Sequence, residues 1–146
     1  MTEMSSTSDK SFLDTNILIY LYSQDEPAKQ AIAADLISNL ENIFVISTQV
    51  IGEFVNTLFS KFGCDIPSIR VAIDDFRGQF ELVPIQFSTI DKAMFLIEKY
   101  RFSYWDSMIV ASALENGCTV LYSEDLQHLQ KIEEKLTIVN PFLNTL

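Results

Sequence analysis

Ser11-Phe12-Leu13-Asp14-Thr15-Asn16-Ile17-Leu18-Ile19-Tyr20 is the stretch whose reading decides the fold. A short apolar run suited to a buried strand delivers a carboxylate at Asp14, and the chain turns at once into a second apolar run. In an open α/β sheet ligands bind outside the C-terminal ends of the strands. Asp14 is therefore a candidate site residue as well as a candidate helix cap.

Outward from this stretch, short β-rich runs alternate with longer helical ones, without repeat, linker or low-complexity tract. Strands are predicted at Ser11 to Asp14, Ile43 to Ser47, Glu81 to Ile85, Cys118 to Ser123 and Leu136 to Val139. Short, mostly apolar runs of this kind suit a parallel sheet covered on both faces. Pro27 and Pro67 mark helix starts and Gly63 and Gly117 helix stops, while Ser88 or Thr89 is the expected cap of the helix containing Ala93, Met94 and Ile97. Ala28, Ala31, Ile32, Leu36 and Leu40 form one expected apolar stripe. The Met and Phe residues recurring at helical spacing are assigned to core packing.

At 146 residues, with 48% hydrophobic and 21% charged, the chain has the size and balance of one soluble globular domain. We expect a flexible polar N-terminus over residues 1–10 and a single domain over 11–146. The first ten residues lack the pattern of a secretory signal. No apolar run approaches the roughly 20 residues of a membrane span. A cytoplasmic protein with no membrane partner is the expectation. Cys64 and Cys118 belong to no metal or redox motif and are expected to be reduced thiols. His128 is the only histidine, which argues against a His-dependent triad or a zinc site built on several His. Carboxylates must carry any metal chemistry. The net charge of −10 argues against nonspecific binding of nucleic acid by a basic surface. A polyanion would have to meet bound cations or a local Lys/Arg rim.

Four acids stand where elements begin or end. Asp14 and Asp125 each follow an apolar strand, Asp125 after Thr119-Val-Leu-Tyr-Ser123, with Glu124 as a rival for its role. Glu53 shares a polar ridge with Gln49 and Asn56, opposite an apolar stripe of Val50, Ile51, Phe54, Val55, Leu58 and Phe59. Asp106 opens a helix that is apolar nearly all round, where Ser103-Tyr-Trp-Asp106 matches a capping box. Each position has a plain structural explanation: a cap, a turn or a solvated face. Their convergence on one pocket would call for divalent cations, since clustered carboxylates repel one another.

With F-L-D-T-N-I-L-I-Y, S-T-Q-V-I-G-E-F, Y-W-D-S-M-I-V-A-S-A-L and L-Y-S-E-D-L in this order, the chain from Ser11 onwards resembles the PIN domain family, and within it the VapC-like toxins of type II toxin-antitoxin modules. The resemblance implies a three-layer α/β/α fold with a five-stranded parallel sheet in the order 3-2-1-4-5. It also implies a ribonuclease using one or two Mg²⁺ or Mn²⁺ ions held by Asp14, Glu53, Asp106 and Asp125, with Asn16 and Ser123 in support. Asp125 is preferred to Glu124 for the fourth position. Such ions would act by two-metal phosphodiester hydrolysis, and the family likeness implies 5′-phosphate and 3′-hydroxyl products. RNA is the expected substrate, an antitoxin the expected protein partner and a homodimer the expected assembly. Arg101, Arg70 and Arg77 are candidates for RNA phosphate contacts.

Two other readings compete. A catalytically silent PIN-like binding module would keep the fold, but none of the four acids is missing. A phosphotransfer domain would also place an Asp after its first strand, yet this chain has Asn16 where a dehalogenase-like site needs a second Asp. A receiver wants adjacent acids there and a Lys late in the chain, and the adjacent acids are missing. Dinucleotide binding fails because no Gly-x-Gly-x-x-Gly follows the first strand.

Overall fold

The computed structural model describes residues 9–143. Its elements run β1 (Lys10–Leu13), α1 (Thr15–Tyr22), α2 (Pro27–Ile37), β2 (Ile43–Ser47), α3 (Thr48–Ser60), α4 (Ile66–Gln79), β3 (Glu81–Val83), α5 (Phe87–Tyr100), α6 (Tyr104–Glu115), β4 (Val120–Tyr122), β5 (Lys131–Ile132) and β6 (Leu136–Val139). The sheet order is β3-β2-β1-β4-β6-β5. Every pairing is parallel except that of β5 with β6.

This order generates the layers. Parallel strands need crossover connections, and these are right-handed almost without exception. The chain steps from β1 to β2 to β3 in one direction, so α1 to α4 fall on one face. It then returns past β1 to β4, so α5 and α6 fall on the other. The packing agrees: α1 contacts α2 and α3, α3 contacts α4, and α5 lies against α6. Phe12, Leu13, Val45, Ile46, Leu121 and Ile138 from the central strands are fully buried between the layers.

The helix starts follow from the sequence with one shift. Ser47 caps α3 through Val50 N, Asp65 caps α4 through Ser68 N, and Ser103 caps α6 through Asp106 N. For α5 the cap is Gln86, three residues before Thr89. Thr89 instead sits in the first turn, where its Oγ1 accepts the Gln86 N–H at 3.0 Å.

Four expectations are corrected. The sheet has a sixth, two-residue strand, and β6 occupies the fifth place of the expected order. The hairpin joining β5 to β6 turns through Glu133 and Glu134, both at positive φ. A primed turn of this type normally carries Asn or Gly, so its residues give no hairpin signal. Lys99 Nζ and Tyr100 Oη instead pin the turn, donating to Glu133 at 2.6 and 2.7 Å. Second, residues 1–8 of the expected tail lie outside the described residues, but Lys10 begins β1 and pairs with Glu81 at 3.2 Å. Third, the stripe expected on α2 is misplaced. Ala28 and Ala31 are exposed, Ala33 is the buried position, and Leu40 is 95% exposed because the helix ends at Ile37. Fourth, several residues assigned to the core, including Phe59 and Met94, lie on the surface.

The core contrast is testable by denaturant unfolding. Phe54 is fully buried and packs edge-on against Phe76 at 4.9 Å, so Phe54→Ala should cost about 3–5 kcal/mol. Leu40→Ser should change stability by no more than about 0.5 kcal/mol.

Candidate active site

The order of the strands reverses between β1 and β4, which opens a crevice at their C-terminal ends. Asp14 leaves β1 there and Ser123-Glu124-Asp125 leaves β4. Asp14 N donates to Tyr122 O at 3.0 Å and so closes the ladder between the two strands.

Asp14 is 6% exposed, and both its carboxylate oxygens are engaged. Oδ1 accepts from Thr15 N at 2.7 Å and Oδ2 from Ser123 Oγ at 2.7 Å. It is thus both the cap of α1 and a member of the site, and the two readings of the sequence are compatible. Ser123, fully buried, also accepts the Asp125 N–H at 3.2 Å. Asn16 Nδ2 donates to Asp125 Oδ2 at 3.1 Å, and its Oδ1 accepts the Glu124 N–H at 3.4 Å. Ser123 and Asn16 therefore bracket the loop that carries Asp125.

Glu53 reaches the same place from α3. Its Oε1 accepts from Thr15 Oγ1 at 2.6 Å and its Oε2 from Gln49 Nε2 at 3.3 Å. Gln49 Nε2 also donates to Trp105 O at 3.3 Å, which ties α3 to the first turn of α6, one residue before Asp106. The rest of α6 from Ser107 to Ala113 is buried, so Asp106 stands at the mouth of a rigid element.

The electrostatics group the four acids. Burial is the main reason that the Asp14 carboxyl is pushed up to about 6; the bonds from Ser123 and Thr15 oppose this, and Asp125 and Glu53 add to it. Asp106 is raised as well, mainly by burial and then by Asp125 and Glu53, against a lowering bond from Ser103. Glu53 and Asp125 thus act on both of the other acids. Glu124 behaves differently. It is partly desolvated but held below the usual carboxylate range by Lys29 and Tyr20, with which it forms an ion pair and a hydrogen bond.

An open cavity of about 640 Å³ is lined by Thr15, Asn16, Glu53, Asn56, Glu124 and Asp125, among others. Neither Asp14 nor Asp106 lines it directly, but Thr15, bonded to Asp14, does. Lys61 is on its wall, whereas the three arginines singled out in the sequence are not. Arg70 and Arg77 line a separate groove between α3 and α4, where Arg77 pairs with Asp74, and Arg101 is the exposed left-handed cap of α5.

The ion pairs among the described residues are Lys10–Glu81, Lys29–Glu124, Arg77–Asp74 and Lys99–Glu133, so none of the four acids has a basic partner. Nor, among the described residues, do three metal-ligating side chains already stand together in a group that could hold an ion. Mg²⁺ usually takes only one or two carboxylates and keeps several waters. Uncompensated, mutually repelling carboxylates of this kind fit such an ion.

The PIN domain family model matches residues 11–135. The chain belongs to the PIN domain family. Its fold is similar to that of the VapC20 toxin from Mycobacterium tuberculosis, described as cleaving the sarcin-ricin loop, with 18% identity and a TM-score of 0.66 over 79% of this chain and 89% of that one. A toxin-antitoxin complex from Klebsiella pneumoniae aligns with 21% identity and a TM-score of 0.67 over 90% and 97% of the two chains. VapBC2 from Rickettsia felis, bound to a promoter DNA fragment, aligns with 17% identity and a TM-score of 0.61 over 90% and 99%. No curated protein sequence matches the chain. In this PIN domain, sequence reasoning missed Thr15, which joins Asp14 to Glu53, and Lys61. A hydroxyl directly after a strand-end acid was the one available signal for Thr15.

The raised value at Asp14 fixes a sign. A carboxyl that binds its proton more tightly folded than unfolded loses stability for the fold as pH rises from about 4 through about 6. In metal-free buffer Asp14→Asn should therefore be more stable than the parent at pH 7.5, by up to roughly 3 kcal/mol before the altered bond to Ser123 is counted. Near pH 4 that advantage should vanish. Urea unfolding at both pH values checks this, and an equal difference at the two would exclude buried charge as its cause.

Proposed function

We propose that this PIN domain is a metal-dependent endoribonuclease, acting as the toxin of a toxin-antitoxin module. The observation that carries the reading is the shared electrostatic neighbourhood of Asp14, Glu53, Asp106 and Asp125, with no basic partner for any of them among the described residues, and with Glu53 and Asp125 lining an open cavity. The reaction is hydrolysis: water oxygen bonds to phosphorus, the bond from phosphorus to the 3′ oxygen breaks, and that oxygen takes a proton. The products are a 5′-phosphate and a 3′-hydroxyl.

Asp14, Asp106, Glu53 and Asp125 would hold one or two Mg²⁺ or Mn²⁺ ions. Bound there, the metal supplies charge stabilisation at phosphoryl oxygens and a more acidic water. The chain's own groups do the positioning. Ser123 and Thr15 fix both oxygens of Asp14, Thr15 and Gln49 fix those of Glu53, and Asn16 steadies Asp125. Glu124, committed to Lys29, is the weaker candidate for the fourth acid. Lys61 is the better placed cation for an RNA phosphate than Arg70, Arg77 or Arg101. The toxin-antitoxin complexes of similar fold support an antitoxin as partner, and the exposed apolar residues of the surface helices are compatible with a homodimer.

Asp14→Asn should remove nearly all Mg²⁺- or Mn²⁺-dependent cleavage of a labelled RNA while keeping the fold. Ser123→Ala should lower it about 10–100-fold, the usual cost of losing a group that orients a metal ligand. The parent should also melt at a higher temperature in millimolar Mg²⁺ than in EDTA, and Asp14→Asn should lose most of that gain. Undiminished cleavage by purified Asp14→Asn protein would overturn the reading.

A further inference from the structure

We propose that Trp105 is the floor of a nucleobase subsite, on which an unstacked base of the RNA chain lies while a neighbouring phosphate meets the acids. The inference rests on the ribonuclease reading and adds a binding site to it. Trp105 is 61% exposed, although it sits in the first turn of a helix buried from Ser107 to Ala113. Exposing so large a ring leaves much apolar surface in water, since burial of an aromatic side chain removes on the order of 150–250 Å².

The ring is held while its surface stays open. Tyr104 packs against it in a T-shaped contact at 5.0 Å and 78°, which braces the ring and can occupy only one of its two faces. Gln49 Nε2 anchors the Trp105 carbonyl to α3. The amide orientation of Gln49 follows from chemistry: its two partners, Glu53 Oε2 and Trp105 O, are both acceptors, so the nitrogen must face them. Its Oε1 is buried without a partner among the described residues, so this strut stands at a cost in stability of about 1–3 kcal/mol.

A cavity of about 460 Å³ is lined by Trp105, Ile85, Gly52, Gln49, Glu53 and Asn56, with Thr48. Glu53 and Asn56 also line the larger acidic cavity. The two are therefore adjacent along the α3 ridge, so a polynucleotide crossing Glu53 and Asn56 would place a phosphate in one and its adjoining base in the other. The ligand must be flat and apolar on its face and tethered to an anion, which describes a nucleobase in single-stranded RNA. Stacking on an aromatic ring tolerates any base, and Asn56, exposed on the shared rim, offers a polar contact to its edge.

Trp105 is the only tryptophan, so its emission reports on the subsite directly. Parent protein, with Ca²⁺ in place of Mg²⁺ so that metal is bound and cleavage is slowed, is titrated with a short single-stranded RNA and with an abasic oligomer of equal length and charge. Quenching by the RNA and none by the abasic chain is expected. Under the same conditions, anisotropy of a labelled RNA should show about tenfold weaker binding for Trp105→Leu and recovery to within about threefold for Trp105→Tyr, which retains a ring. Neither change should alter binding of the abasic chain.

Equal affinity of all three proteins for the RNA, or equal quenching by both oligomers, overturns the subsite. So does a concentration-dependent emission shift without RNA, since a second copy would then cover the ring. If parent protein still cleaves RNA in an Asp14-dependent way, the ribonuclease reading survives that failure. Absence of both cleavage and RNA binding overturns the two together.

Discussion

Everything at the C-terminal edge of the sheet depends on keeping the Asp14 carboxylate in a place where water barely reaches it. Burial raises the energy of its charge, and the neighbouring acids raise it further. Two hydrogen bonds, from Thr15 N and Ser123 Oγ, offset only part of this. The backbone explains why the carboxylate stays. Asp14 is the last residue before α1 turns away, and its N–H completes the pairing of β1 with β4. Moving it would break a central parallel pairing on which all three layers rest. The sheet pins the acid, and the acid keeps a cost that a bound cation can remove.

Net charge and proposed substrate pull against each other, and the structure resolves this locally. A chain at −10 repels a polyanion at long range. Within the site, the Glu124 charge is offset by Lys29, whose ammonium is also shared with Tyr20. Lys61 reaches the cavity wall from the end of α3. Among the described residues the four acids are left without a basic partner, so the negative potential is concentrated where the proposed divalent ion would sit. Under the proposed function, attraction for RNA would depend on metal loading, unlike that of a basic surface, which is always on.

How far the sequence could be read follows from where each signal is local. Asp14 and Asp125 were visible because an apolar strand ending in an acid is a local pattern, and the strand order makes them neighbours. Asp106 stood out because an acid heads a helix with almost no polar face. Glu53 was visible only as part of a ridge, and the fact that the ridge faces a cleft depends on how α3 packs beside α1. Thr15 was missed because its role is to join two elements 38 residues apart. The β5 strand escaped for a related reason: two residues carry no period, and the turn after it is held by Lys99 and Tyr100 from α5. Leu40 and Met94 failed differently. Helical periodicity ranks positions on one face, but it does not say where a helix stops or which faces find a neighbour.

The acids also differ in how firmly they are mounted, and this bears on how a metal would be received. Asp14 is fixed by the sheet, and Asp106 rides on a helix whose next seven residues are buried. Glu53 is held by two side chains, Thr15 and Gln49, that are themselves anchored. Asp125 alone sits on a loop, steadied by Asn16 and by the Ser123 hydroxyl. Since Ser123 also donates to Asp14, a change in the charge felt by Asp14 reaches the Asp125 backbone through one oxygen. The acid on the loop is therefore coupled to the acid on the sheet. No three carboxylates stand together among the described residues, so in the proposed site the binding of an ion would draw the acids closer, and Asp125, held by side-chain bonds rather than by a helix or the sheet, is the one that would move at least cost.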